Sequence, residues 1–210
     1  VYFVIVLPGV VVHELSHWIM AKILRVRVGK LSIGPSRKGR SRRVTLGSVR
    51  VGAVDPLRAS LIGLAPLLGG TAIILAIGIL VLDVGNLAQT MVDGGLEGIL
   101  TALERAVQVA DFWLWLYIIF SVSNAMLPSE SDMAAVRPVL IFLGIAAAIL
   151  LLVGGVPSIP PDVVLIVNAI AGYLATAFAL TLAVDAVFML GVLLLLWLTR
   201  RLQRDRIVVR

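Results

Sequence analysis

Long apolar segments dominate this chain of 210 residues and limit what it can fold into. Hydrophobic residues make up 60% of it and charged residues only 14%, whereas soluble domains are about half apolar and a quarter charged. A helix of about 20 apolar residues is long enough to cross a bilayer. The sequence therefore predicts an all-α, polytopic membrane protein. We place about five transmembrane segments at residues 1–24, 59–82, 107–127, 139–156 and within 163–199.

The fifth segment is longer than a single simple crossing requires, because a helix rises about 1.5 Å per residue. Asn168, Gly172 and Asp185 interrupt its apolar character. We expect one tilted helix that is preceded by a shorter interfacial helix, and the pattern does not place the break between them.

The basic residues predict the orientation of the segments. Eleven of the 18 Lys and Arg residues lie within residues 22–58, Arg137 follows the third segment, and five more follow the fifth. Only Arg105 falls on the opposite side. With five alternating crossings the basic loops and the C-terminus share one side, which the positive-inside rule makes cytoplasmic. The net charge of +6 then indicates contact with anionic lipid of the bilayer and no nucleic-acid partner.

The loop between the first two segments predicts a small cytoplasmic β-hairpin at about residues 25–52. Apolar and polar residues alternate from Arg25 to Ile33, with a shift at Gly29, and again from Val44 to Val51. Between these runs, residues 37–43 are rich in basic and turn-forming residues. We expect them to form a solvated, lipid-facing tip.

The sequence His13-Glu14-Leu15-Ser16-His17 lies inside the first apolar segment. Ionisable side chains are costly in hydrocarbon, so their presence there suggests a function. On a helix, His13 and His17 share a face and can bind one zinc ion, with Glu14 beside it as a base for water. The alternative is a pair of buried histidines hydrogen-bonded within the bundle, with Glu14 in an ion pair.

A catalytic zinc usually takes three protein ligands, and the chain has no cysteine and no third histidine. The third ligand must then be a carboxylate, and we favour Asp132, which follows the third segment on the basic side. His17 lies eight residues before Arg25, about 12 Å below the membrane boundary at helical rise. We expect a loop that starts near Pro128 to carry Asp132 back to this depth. Glu130 is the rival ligand, and Asp132 could instead cap a helix.

HELSH followed far downstream by Asn124-Ala125-Met126-Leu127-Pro128-Ser129-Glu130-Ser131-Asp132 resembles the site-2 protease family of intramembrane metalloproteases. That family carries HExxH in one membrane helix and an Asn/Pro/Asp motif in a later one. The run 63–67, Gly-Leu-Ala-Pro-Leu, is similar to a segment that lies between them. The resemblance covers a three-helix core with its hairpin at residues 1–138. Residues 139–210 then add C-terminal transmembrane helices and a basic cytoplasmic tail.

The resemblance implies an intramembrane endopeptidase that hydrolyses a peptide bond in a transmembrane protein substrate. One Zn²⁺ ion would be bound by His13, His17 and Asp132, with Glu14 as the catalytic base. Asn124 would contact the substrate backbone or the oxyanion, although it could equally form an interhelical hydrogen bond.

Two features of the sequence leave other functions open. The family usually has Gly directly after the ligand Asp, whereas this chain has Met133, and its Pro is displaced. A catalytically silent relative, acting as a structural or assembly subunit with partners in a larger membrane complex, is therefore the alternative. An ion or proton transporter that uses Asn168 and Asp185 is a third possibility, but the sequence has no inverted repeat to support it.

Overall fold

The computed structural model describes residues 2–37, 44–52, 54–152 and 160–207. Four of its helices are long and apolar enough to cross a membrane, and a bent pair brings the number to five if it forms one span. These helices confirm the predicted all-α, multi-pass architecture. The elements are α1 (Tyr2–Ile23), β1 (Val28–Arg37), β2 (Val44–Val51), α2 (Pro56–Leu80), α3 (Val84–Val107), α4 (Phe112–Met126), α5 (Glu130–Leu152) and α6 (Pro161–Ile207).

The predicted hairpin is present between α1 and α2. Strands β1 and β2 pair antiparallel, with Val28 opposite Val51 and Arg37 opposite Val44. The register shifts between Val28 and Leu31, where the sequence pattern shifts at Gly29. The predicted tip at residues 37–43 lies outside the described residues, apart from Arg37.

Helix α2 occupies the centre of the bundle. It packs against α1, α4, α5 and α6, while α1 and α6 each also pack against α4. Helices in lipid gain little from the hydrophobic effect, so close approach at small residues becomes the main source of packing energy. A Cβ atom added at Gly9 would lie 1.9 Å from the Ser121 carbonyl oxygen, and one at Gly63 would lie 2.8 Å from that of Asp132. Glycine at these positions therefore lets α1 approach α4 and lets α2 approach α5.

Helix α3 was not predicted from the sequence. Gly95 has non-helical dihedrals (φ 54°, ψ −132°) that break it into two arms. The arms fold back on each other, since Arg105 Nη1 lies 3.5 Å from Thr90 Oγ1 and a Cβ atom at Gly98 would lie 2.1 Å from the Thr90 carbonyl oxygen. A bend of 94° then leads from α3 into α4.

Helix α6 runs without a break from Pro161 to Ile207, so the expected division of the fifth segment is wrong. Pro161 occupies the first helical position, where its missing N–H group costs nothing. Gly172 alone costs only about 1 kcal/mol within a helix, and neither Asn168 nor Asp185 prevents helical geometry. The long apolar sequence on both sides is therefore sufficient to keep the helix continuous.

Candidate metal centre

Helix α1 places His13 and His17 on successive turns, with their rings edge to face. The ring centroids are 4.8 Å apart and the ring planes are inclined by 83°. The Nε2 atoms of the two rings face each other at 3.2 Å. The two rings therefore converge, as the four-residue spacing of His13 and His17 on a helix predicts.

The other nitrogen of each ring is fixed by a backbone carbonyl group. His13 Nδ1 lies 2.7 Å from the Ala125 carbonyl oxygen, and His17 Nδ1 lies 2.7 Å from that of Ile62. A carbonyl oxygen only accepts, so both Nδ1 atoms carry the hydrogen and donate it. In a neutral ring this contact leaves a lone pair on Nε2, which is the tautomer that a metal ligand needs.

Both carbonyl groups are available because the helices that carry them lack the usual donor. In α2 the Ile62 carbonyl would accept from the N–H four residues later, but that residue is Pro66, which has none. In α4 Ala125 is the penultimate residue, and the last four carbonyls of a helix have no partner within it. Pro66 and the end of α4 thus supply the acceptors that orient the two rings.

Asp132 completes the cluster from the first turn of α5. Its Oδ1 lies 3.3 Å from His17 Nε2, and its Oδ2 lies 3.7 Å from His13 Nε2. One ligand atom from each of the three residues can be chosen so that all lie within 4.8 Å of one another. Glu130, the rival ligand, does not belong to this group.

The expected loop around Asp132 is wrong, because α5 begins at Glu130 and the connection from α4 is short, Leu127–Ser129. Ser129 is the residue that caps α5. The Ser129 amide and hydroxyl donate to Asp132 Oδ2 at 2.8 and 2.6 Å, and the Asp132 amide donates to Ser129 Oγ at 3.3 Å. This reciprocal capping box starts the helix earlier than the apolar pattern indicates and also fixes the carboxylate.

These distances suit a single metal ion. Tetrahedral ligands at about 2.0–2.2 Å from an ion lie about 3.3 Å from one another. The His13–His17 and His17–Asp132 contacts, at 3.2 and 3.3 Å, match that separation. With both rings neutral and the carboxylate ionised, all three groups present electron pairs to one another, and a cation between them would stabilise this arrangement. The three residues could therefore hold a metal ion.

Glu14 and Asn124, the two predicted catalytic residues, lie next to metal-site residues in the chain. Glu14 follows His13, has 7% of its surface exposed, and is near enough to Asp132 for their charges to interact. Among the described residues it makes no hydrogen bond. Asn124 precedes Ala125, is exposed, and donates from Nδ2 to the Phe120 carbonyl oxygen at 2.8 Å.

Sequence reasoning missed the residues that orient the ligands. Ser129 could have been recognised from the Ser-x-x-Asp pattern before a helix, and the Ile62 carbonyl from the proline four residues later. Asp185, to which no partner was assigned, lies on α6 with Oδ1 3.3 Å from Asn124 Nδ2. No local pattern links residues so far apart in the chain.

Replacing Pro66 by alanine should lower the metal affinity about 10- to 100-fold, the usual effect of removing a group that orients a ligand. The new N–H would compete with His17 for the Ile62 carbonyl oxygen. Competition with a chromogenic chelator measures the affinity. Pro8→Ala is the matched control, because Pro8 frees the Val4 carbonyl, which accepts from the Tyr117 hydroxyl at 3.3 Å, away from the cluster. Equal affinities in the two variants would contradict this account of His17.

No family model, curated protein or solved structure matches this chain. The candidate metal centre therefore stands on its own geometry.

Proposed function

We propose that this protein is a zinc-dependent intramembrane endopeptidase. The observation that carries the proposal is the convergence of two imidazoles and a carboxylate on one point between membrane helices. Two nitrogens and one oxygen are typical ligands of catalytic zinc, whereas magnesium and calcium favour oxygen alone. His13, His17 and Asp132 would hold the ion and leave one coordination position open.

Bound zinc would polarise the scissile carbonyl group and make water more acidic. Glu14 would take the proton from the attacking water and later donate it to the leaving amine. Its position directly after a ligand, with its carboxylate shielded from bulk solvent, supports this role.

The substrate in this proposal is a transmembrane segment of another protein, unwound locally so that its backbone can reach the site. Irregular backbone is tolerated at membrane depth only against protein or water. In the described part of the chain each strand of the β1–β2 hairpin has one edge without a strand partner. Strand addition at such an edge would hold an extended peptide near the basic end of α1. We assign that end to the cytoplasm from the positive-inside rule.

The alternative of a catalytically silent assembly subunit is favoured by Met133, which follows Asp132 where the resemblance calls for glycine. The local backbone weakens this argument for a silent subunit. The Met133 amide donates to the Ser129 carbonyl oxygen at 2.9 Å as part of α5, and Met133 does not have a positive φ. Glycine is therefore not needed at this position, and a methionine is compatible with a functional ligand before it.

The test is reconstitution of the purified protein into liposomes with a pool of tagged single-span peptides. We expect new termini by mass spectrometry, loss of cleavage with 1,10-phenanthroline, and recovery when zinc is restored. Bound zinc without any cleavage would favour the silent subunit. Protein that binds no metal, even after incubation with zinc, would rule out both the peptidase and the site.

A further inference from the structure

Asp185 is a carboxylate in the middle of the membrane helix α6, and it contacts the C-terminal end of α4, where the Ala125 carbonyl group orients His13. Its Oδ1 lies 3.3 Å from Ser123 Oγ and 3.3 Å from Asn124 Nδ2. A carboxylate among apolar helices is costly and is usually retained for a function. The residue is therefore a candidate for a role in the proposed peptidase site.

Packing on both sides of Asp185 fixes α6 against α4. Phe188 stacks on Phe120 with ring centroids 4.2 Å apart. Ala177, Thr181 and Val184 are buried on the same face of a helix that is otherwise mostly exposed. Helix α6 thus meets the bundle through one stripe, and the Asp185 carboxylate lies beside that stripe, next to Asn124.

The partners of Asn124 determine which way its carboxamide group points. Its Nδ2 atom has three oxygen neighbours, the Phe120 carbonyl oxygen at 2.8 Å, Asp185 Oδ1 at 3.3 Å and Ser123 Oγ at 3.5 Å, and the first two are acceptors only. The flipped orientation would place the amide oxygen against both acceptors, which is repulsive. Among the described residues nothing donates to Asn124 Oδ1. The side chain therefore offers an acceptor, and this argues against the expected role as a donor to the oxyanion.

We propose that Asp185 is a positioning residue that orients Asn124, so that Asn124 Oδ1 accepts a backbone N–H of the substrate. The inference rests on the proposed peptidase function and adds α6 to the site. An extended peptide presents N–H groups that need acceptors away from water. Asn124 lies directly before Ala125, whose carbonyl orients His13, so a peptide bound there would also lie next to a metal ligand.

The experiment uses the zinc-loaded full chain in detergent and a series of peptidyl hydroxamates. In each compound of the series one backbone N–H is replaced by an ester oxygen. For the wild-type protein we expect one replacement to weaken binding about tenfold, the usual effect of losing one hydrogen bond. The Asp185→Leu and Asn124→Leu variants should bind the parent compound more weakly than the wild-type protein does. In these variants the ester that weakens wild-type binding should bind as tightly as the parent compound.

Asp185→Asn should keep the wild-type discrimination, that is, the tenfold preference for the parent compound over the sensitive ester, because a carboxamide oxygen can still accept from Asn124 Nδ2. Asn168→Leu is the matched control, since it removes another polar side chain of α6 that has no hydrogen bond among the described residues. If Asp185→Leu does not fold, Asp185→Ala provides the same comparison, and zinc content reports whether the site is intact.

Wild-type discrimination retained in a zinc-loaded Asp185→Leu or Asp185→Ala variant would overturn the inference and leave the peptidase proposal standing. If no ester replacement weakens hydroxamate binding to the wild-type protein, the inference is overturned in the same way. Wild-type protein that binds zinc but none of the hydroxamates would overturn the inference together with the proposed function.

Discussion

Glu14→Gln is expected to slow peptide cleavage about 10²- to 10⁴-fold, the range that a positioned acid–base group supplies. Glutamine keeps the size and polarity of the side chain but cannot accept the proton from water. Zinc should remain bound, because His13, His17 and Asp132 are unchanged. Cleavage of a reconstituted peptide gives the rate, and metal analysis of the same sample gives the zinc content.

Glu97→Gln is the control for this substitution, because Glu97 is an exposed glutamate on α3, away from the cluster. It should cleave at the wild-type rate. Undiminished cleavage by Glu14→Gln would exclude Glu14 as the base. Loss of zinc from that variant would instead assign Glu14 to metal binding.

Asp132→Ala should release the metal ion. The substitution removes one of three ligands, and the loss in affinity should exceed the 10- to 100-fold effect of removing an orienting group. It also removes the acceptor for the Ser129 amide, which should lower the free energy of unfolding by about 1 kcal/mol. Zinc per chain after dialysis and the thermal midpoint measure the two effects.

Glu130→Gln separates the ligand role of Asp132 from a general effect of acidic residues at the start of α5, since both lie in its first turn. This variant should keep one zinc ion per chain. Asp132→Asn should retain the capping contacts and still bind zinc weakly, because a carboxamide oxygen is a poor ligand. Full zinc content in Asp132→Ala, or its loss in Glu130→Gln, would contradict the assigned ligand set.

The membrane helices and the positions of the candidate ligands could be predicted because local patterns encode them. Hydrophobic length gives the crossings, and the four-residue spacing of His13 and His17 places both rings on one helix face. The hairpin could also be predicted, since alternation of period two is a local signal. Asp132 was expected in the right region because few carboxylates lie near the basic ends of the apolar segments.

Interactions between distant elements could not be predicted in this way. Every residue has a carbonyl group, so nothing local distinguishes those of Ile62 and Ala125 until packing brings the rings to them. The glycine-rich sequence of α3 resembles that of a loop. Its glycines instead serve the packing of two helical arms, since Gly95 breaks the helix and Gly98 lets the arms come close. Asp185 and Asn124 are 61 residues apart, and only the packing of α6 on α4 brings them together.

The length of α4 has a consequence for the lipid around the protein. Its 15 residues rise about 22 Å, whereas the hydrocarbon core of a typical bilayer is about 30 Å thick. Helix α4 qualifies as a crossing only together with α3, from which it is bent by 94°. Where α4 alone lies across the hydrocarbon, the bilayer around it would have to thin, at a modest cost for each ångström. Lipids with shorter acyl chains would surround α4 with less deformation, so membrane thickness and the depth of the metal centre are physically linked.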